Sequence, residues 1–145
     1  MTGLFLSTSF TAHTDKTGII IPAYKAFIEQ LLANLRDDGT LSVFCALEYE
    51  NWKISEEPPE VSIRKDVKEI EHADALLALL PKGTSSGGVQ FEIGLAYALG
   101  KKVFLATESD AKLAFFNQGA INAGYMTHIR YKNPQLLAQQ ITQAI

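Results

Sequence analysis

The sequence predicts an α/β fold in which helices cover both faces of a mostly parallel sheet of about five strands. Three observations carry this expectation. Short apolar runs alternate with segments of helical periodicity along the chain. The run Ala75–Leu80 is apolar at every position, as a strand buried on both faces requires. The main helical patterns stop at glycine or aspartate turns before the next apolar run begins.

Gly3–Leu6 reads as a first strand that enters a small-polar loop at Ser7. From Ile19 to Arg36, Ile20, Tyr24, Phe27, Ile28, Leu31, Leu32 and Leu35 recur at helical spacing, and Asp37-Asp38-Gly39 stops the helix. Leu41–Ala46 is a second strand. Glu48–Glu60 is polar, holds Trp52 and ends in Pro58-Pro59, which suits a loop or lid beside a site. Val61–His72 predicts a second helix with Ile63, Val67 and Ile70 on one face. Asp74 then serves as a turn residue before the third strand. Thr84–Gly100 predicts a third helix closed by Gly100. Val103–Ala106 is a fourth strand. A helix over Ala111–Phe116, a short strand over Met126–Tyr131 and a last helix over Pro134–Ala144 complete the pattern.

Right-handed crossovers between such units give a flavodoxin/Rossmann-like three-layer sandwich, here expected as one domain over residues 1–145. Ligands of these sheets bind beyond the carboxyl ends of the strands. Three segments are expected to meet there: Ser7–Phe10, the loop after the second strand, and Lys82–Gly88.

Composition narrows the function. A net charge of −3 with no basic stripe argues against polymeric nucleic acid as a partner, while single nucleotides need only a local anion site. No apolar run reaches the ~20 residues of a membrane span, and Met1–Phe10 lacks the pattern of a signal peptide. A cytoplasmic location with no membrane partner is expected. Cys45, the one cysteine, lies in an apolar run and reads as a buried small side chain. His13, His72 and His128 show no ligand spacing, so neither a metal nor another cofactor is expected.

Glu92 is the anomaly. It sits among Val89, Phe91, Ile93, Leu95 and Ala96, where a carboxylate is costly unless paired, protonated or used. One reading pairs it with Arg64, Lys65 or Lys68 of the preceding helix. The other places it in a cleft as a nucleophile or base. The helix that carries it opens with Thr84-Ser85-Ser86-Gly87-Gly88. Ser85 or Ser86 suits an N-cap, and free N–H groups at such a start make an anion site. A cap with a flexible lead-in fits the same residues. Asp66 falls near the edge of the second helix's apolar face, either as a solvated charge or as the second carboxylate of an acid/nucleophile pair. Trp52 and Phe10 are candidate stacking platforms for a base, or plain packing.

The order I-R-x-D, A-D-A-L-L-A-L-L and S-x-G-V-x-x-E-I-G-x-A-x-A-L-G-K-x-V, from Ile63 to Val103, resembles the nucleoside 2-deoxyribosyltransferase superfamily, including its branch of nucleoside 5′-monophosphate N-glycosidases. The resemblance runs from Leu4 to about Leu105 and is strongest over Asp66–Asp74 and Gly83–Val103. It implies that Glu92 attacks C1′ of a nucleoside or nucleotide to give a glycosyl-enzyme ester, which water or another base resolves. It implies that Asp66 assists the leaving base, and that Ser7, Ser9 and Phe10 line the sugar and base pocket. The family often carries a tyrosine on the first strand, aimed at the glutamate. Phe5 stands there, which implies a Glu92 held less firmly. Transferases usually carry an acid before the catalytic helix, yet Pro81–Phe91 has none. That favours a 5′-phosphate held at Ser86, Gly87 and Gly88. The same layout also resembles TIR-like and other nucleotide- or NAD-sensing domains, which keeps binding without turnover as the alternative.

The third helix is apolar almost all round, which predicts a homodimer or higher homo-oligomer. In the resembled family a neighbouring subunit completes the pocket with a polar residue after the fourth strand, and Asn117 is the residue this assigns here. It would suit a helix C-cap equally well.

Overall fold

The computed structural model describes the chain from Met1 to Ile145. Its elements in order are β1 (Thr2–Thr8), α1 (Pro22–Arg36), β2 (Leu41–Cys45), α2 (Ala46–Tyr49), α3 (Pro59–His72), β3 (Ala75–Leu79), α4 (Gly87–Ala98), β4 (Lys102–Glu108), α5 (Phe115–Asn122), β5 (Thr127–Tyr131) and α6 (Pro134–Ala144). The five strands form one parallel sheet in the order β2-β1-β3-β4-β5. The expected α/β sandwich is therefore present, with its sheet parallel throughout.

Alternation along the strands divides the core in two, because successive side chains leave opposite faces. Leu4, Leu6, Leu77 and Leu79 pack with Ile28, Leu31 and Leu35 of α1 and with Leu137 and Ile141 of α6. Phe5, Leu76 and Ala78 pack on the other face with Ile70 of α3 and with Val89, Ile93 and Ala96 of α4. β3 feeds both cores, which explains its unbroken apolar run.

Several boundaries differ from those expected. The first helix starts at Pro22, not Ile19. Residues before it are drawn into bridges, Thr14 with Ile20 and Ile19 with Lys53, and proline suits a first helical turn. The second starts at Pro59 for the same reason. The segment Glu48–Glu60 is no open lid. It contains the end of α2, then Asn51 and Trp52 with left-handed φ of 57° and 63°. The backbone pins this turn through Trp52 N–H to Leu47 O (2.8 Å) and Ile20 N–H to Trp52 O (2.9 Å). The helix expected over Ala111–Phe116 forms instead over Phe115–Asn122. The preceding residues are held out of it, since Arg130 binds the Ser109 and Ala111 carbonyls and Ala114 N–H binds Gly83 O.

Gly100 does close α4. Its N–H reaches Tyr97 O (3.0 Å), and Lys101 N–H reaches Ala96 O (2.9 Å). The residue has φ 74°, the left-handed conformation this helix end requires. Asp74 fixes the start of the sheet, its carboxylate accepting Gly3 N–H at 2.7 Å. No helix is long and apolar enough to cross a membrane.

Candidate active site

β1 lies between β2 and β3, so the chain leaves the sheet in opposite directions on its two sides. A crevice opens beyond the carboxyl ends at such a point. A cavity of about 240 Å³ occupies it, lined from β1 and its loop by Phe5, Ser7, Ser9 and Phe10, and from the helices by Asp66 and Glu92. Ala46 and Leu47 close it beside β2, and Ser86 and Gly88 close it at the start of α4. The three expected segments do converge, with α3 adding Asp66.

Glu92 has no ion pair to α3. Its Oε1 accepts a hydrogen bond of 2.7 Å from the Ser7 hydroxyl, across 85 positions of sequence. Ser7 is buried, at 1% exposure, so its hydroxyl has a fixed place. Phe5 two residues earlier on the same strand face stacks on Phe44 with ring centroids 5.5 Å apart. The expected loosening of Glu92 thus meets a different arrangement, in which Ser7 supplies the hydroxyl.

Burial pushes the Glu92 carboxyl up to about 7. The Ser7 hydrogen bond opposes this, and the charge of Asp66 adds to it. Asp66 is raised to about 6 by burial, then by the charges of Glu50 and Glu69, with Lys65 opposing. Burial is the first cause of both shifts, so each carboxyl facing the cavity holds its proton to a higher pH than an exposed one.

The stability consequence has a definite sign. A carboxyl whose folded pKa exceeds its unfolded one binds more protons when folded, so stability falls as pH rises, here from 4.5 to about 7. Glu92→Gln removes that cost. The variant should melt roughly 2–4 °C higher at pH 8, reflecting about 1 kcal/mol after allowance for partial exposure, and little differently at pH 5. Calorimetry at the two pH values checks this; an equal change at both would rule out charge as the cause.

The start of α4 bears an unused donor set. Ser86 is the N-cap, as expected, though its side chain makes no capping bond, and no acid lies in the first turn. A Cβ built at Gly87 or Gly88 meets nothing within 4 Å, so space above the first turn is open. Gly83 was not singled out in the sequence, yet it positions this loop. Its φ is 75°, and a Cβ there would lie 2.5 Å from Lys112 O. Its Gly-rich neighbourhood was the available signal. Thr8 was also missed. It lies on the cavity wall, bonded to Tyr24 and to Leu79 O.

Some candidates lie elsewhere. Trp52 does not line the cavity and packs against the α1/α6 core, with Lys25 over its ring at 5.6 Å. Cys45 is buried, its thiol pushed up to about 11 by burial. Asn117 is apart from Glu92. It is 0% exposed within its own protomer, accepts a hydrogen bond from Gln90 at 3.0 Å, and lines a separate cavity between α4 and α5. The third position of α5 faces α4, and the outward positions go to Phe115 and Phe116. No group of histidine, cysteine and acidic side chains is arranged to hold a metal ion.

The family model described as nucleoside 2-deoxyribosyltransferase matches residues 20–136. The solution structure of BlsM is similar at 28% identity and TM-score 0.78, over 99% of this chain and 88% of that one. The Clostridium botulinum CMP N-glycosidase BcmB shares the fold at 22% identity and TM-score 0.69, over 99% of both chains. A 2-deoxyribosyltransferase from Bacillus psychrosaccharolyticus shares it at 17% identity and TM-score 0.64, over 94% of this chain and 90% of that one. No curated protein matches.

Proposed function

The chain belongs to the nucleoside 2-deoxyribosyltransferase family, and from that premise we propose that it cleaves the N-glycosidic bond of a nucleoside 5′-monophosphate with Glu92 as nucleophile. Membership makes it an enzyme of the nucleoside deoxyribosyltransferase or N-glycosidase kind, acting on a nucleoside or nucleotide. The observation that supports the finer reading is the pair of buried carboxyls lining one cavity, one of them held by the Ser7 hydroxyl.

A Glu92 oxygen attacks C1′. The C1′–N bond breaks, its electron pair leaves with the base, and the base takes a proton from Asp66. The reacting state needs Glu92 ionised and Asp66 protonated. A base that accepts a hydrogen bond from Asp66 favours that state. Water then attacks the glycosyl ester at C1′ and gives its proton to Asp66, which frees Glu92 and restores the acid. A second base attacking in place of water gives transfer. Ser9 and Phe10 line the side of the cavity nearest the β1 loop, where sugar and base would lie. The phosphate would sit at Ser86, Gly87 and Gly88, and the absence of an acid there favours it over a free 5′-hydroxyl.

Incubation with a panel of nucleosides and monophosphates, with chromatography for free base, tests this. Release from a monophosphate is expected. Saturable binding without any released base would instead favour a sensing domain.

The functional unit we propose is a homodimer. Phe91 and Tyr97 of α4 and Leu99 just beyond its end are 50%, 49% and 45% exposed, and Phe115 and Phe116 of α5 are 93% and 78% exposed. One small protomer leaves this much apolar surface uncovered, and a second copy docking by two-fold symmetry would cover it. Light scattering at micromolar concentration should give twice the 15.9 kDa chain mass. A mass of one chain would remove the interface.

A further inference from the structure

Asp66 has a cation one residue away on α3, yet makes no ion pair with it. Successive helical side chains diverge, so Lys65 and Asp66 do not face each other, while Glu69 one turn on does face Lys65. The Lys65 ammonium lies 2.6 Å from Glu69 Oε1. It also stands 5.3 Å from the centre of the Phe44 ring and 5.0 Å from that of Tyr49, within cation–π range. These rings continue a row that begins at the cavity wall. Phe5 stacks on Phe44 at 5.5 Å, and Phe44 meets Tyr49 at 5.8 Å.

The next residue after Tyr49 is Glu50, which caps the end of α2 with its N–H on Ala46 O at 2.9 Å. The left-handed pair Asn51 and Trp52 follows, and Trp52 is anchored in the core. The backbone thus fixes Glu50 beside Tyr49, the ring that Lys65 covers. Four charged groups surround Asp66: Lys65 and Glu69 on its own helix, Glu50 from α2 and Glu92 from α4.

We infer that Phe44, Tyr49 and Glu69 are positioning residues that hold the Lys65 ammonium out of an ion pair with Asp66, so that the Asp66 proton is kept for the departing base. The inference rests on the acid role proposed for Asp66. It assigns the aromatic row and the Lys65–Glu69 pair a purpose beyond packing, since a freed lysine ammonium would stabilise ionised Asp66 and favour loss of its proton to solvent.

Carboxyl-carbon NMR titration of Asp66 in the protein without substrate tests the arrangement. Tyr49→Leu changes no charge near Asp66, and Tyr49 is exposed enough to replace without loss of the fold. It should lower the Asp66 midpoint by ~0.5 pH unit, and Glu69→Gln by ~1 unit. In a Lys65→Met background the Tyr49→Leu effect should vanish and the Glu69→Gln effect should shrink by about half, as coupled sites require. Midpoints that stay put, or that move equally with and without Lys65, overturn the inference. The titration does not depend on turnover, so the two readings fail separately. A base-release rate unchanged in Asp66→Asn would defeat the acid role while leaving the titration result intact.

Discussion

Glu92→Ala and Glu92→Gln are expected to abolish base release, lowering the rate by more than about 10⁴-fold. Alanine removes, and glutamine leaves without charge, the carboxylate whose Oε1 accepts a hydrogen bond from the buried Ser7 hydroxyl. The glutamine variant keeps shape and length, so a loss there reports on the carboxylate and not on packing. Its unchanged or raised melting temperature would show that the fold survives. Asp66→Asn should lose less, about 10²–10⁴-fold, because it assists departure of the base without forming the new bond. Ser7→Ala should lose roughly 10-fold, through a carboxylate left unpartnered and free to turn. Rapid quench and mass spectrometry of the wild-type protein should show the added mass of a sugar phosphate, and Glu92→Gln should show none. A Glu92→Gln variant that keeps most of the wild-type rate would exclude Glu92 as the nucleophile.

The second large effect concerns the phosphate. A nucleoside 5′-monophosphate is expected to bind about 30-fold more tightly than its nucleoside, roughly 2 kcal/mol for an anion at an unshielded helix start. The first N–H groups of α4 have no side-chain cap, no acid lies in the first turn, and open space stands above Gly87 and Gly88. Ser86→Asp should weaken the monophosphate at least about 10-fold through like charge and leave the nucleoside nearly unchanged. Calorimetry with both ligands on both proteins decides it. Equal affinities for the wild-type protein would move the substrate to a free nucleoside and the reaction towards transfer. Ser86→Asp acts at a cavity edge, so it also separates phosphate recognition from the chemistry at Glu92.

Layering and helix closure were legible because they follow from local physics. Apolar runs with and without alternation distinguish strands from helices, and Gly100 marks a helix end that needs a left-handed residue. Glu92 was legible as an anomaly, since a carboxylate among buried apolar neighbours is unfavourable wherever the helix sits. The misplaced fifth helix shows the limit. Residues 111–114 have ordinary helical propensity but are held out of the helix by Gly83 and Arg130, which are distant in sequence.

The sequence by itself determined that this chain is a layered α/β protein with one out-of-place carboxylate beside a glycine-rich helix start. Only the tertiary structure decided what that carboxylate meets. Arg64, Lys65 and Lys68 were all within plausible reach of Glu92, yet Ser7 holds it, because β1 lies beside β3 and presents Ser7 to the helix that follows β3. Lys65 is drawn instead to Glu69 and two aromatic rings, and Asn117 turns inward to Gln90. Hydrophobic periodicity specifies which face of an element is buried, but it carries no record of strand order. Strand order determines which polar side chains share a cavity.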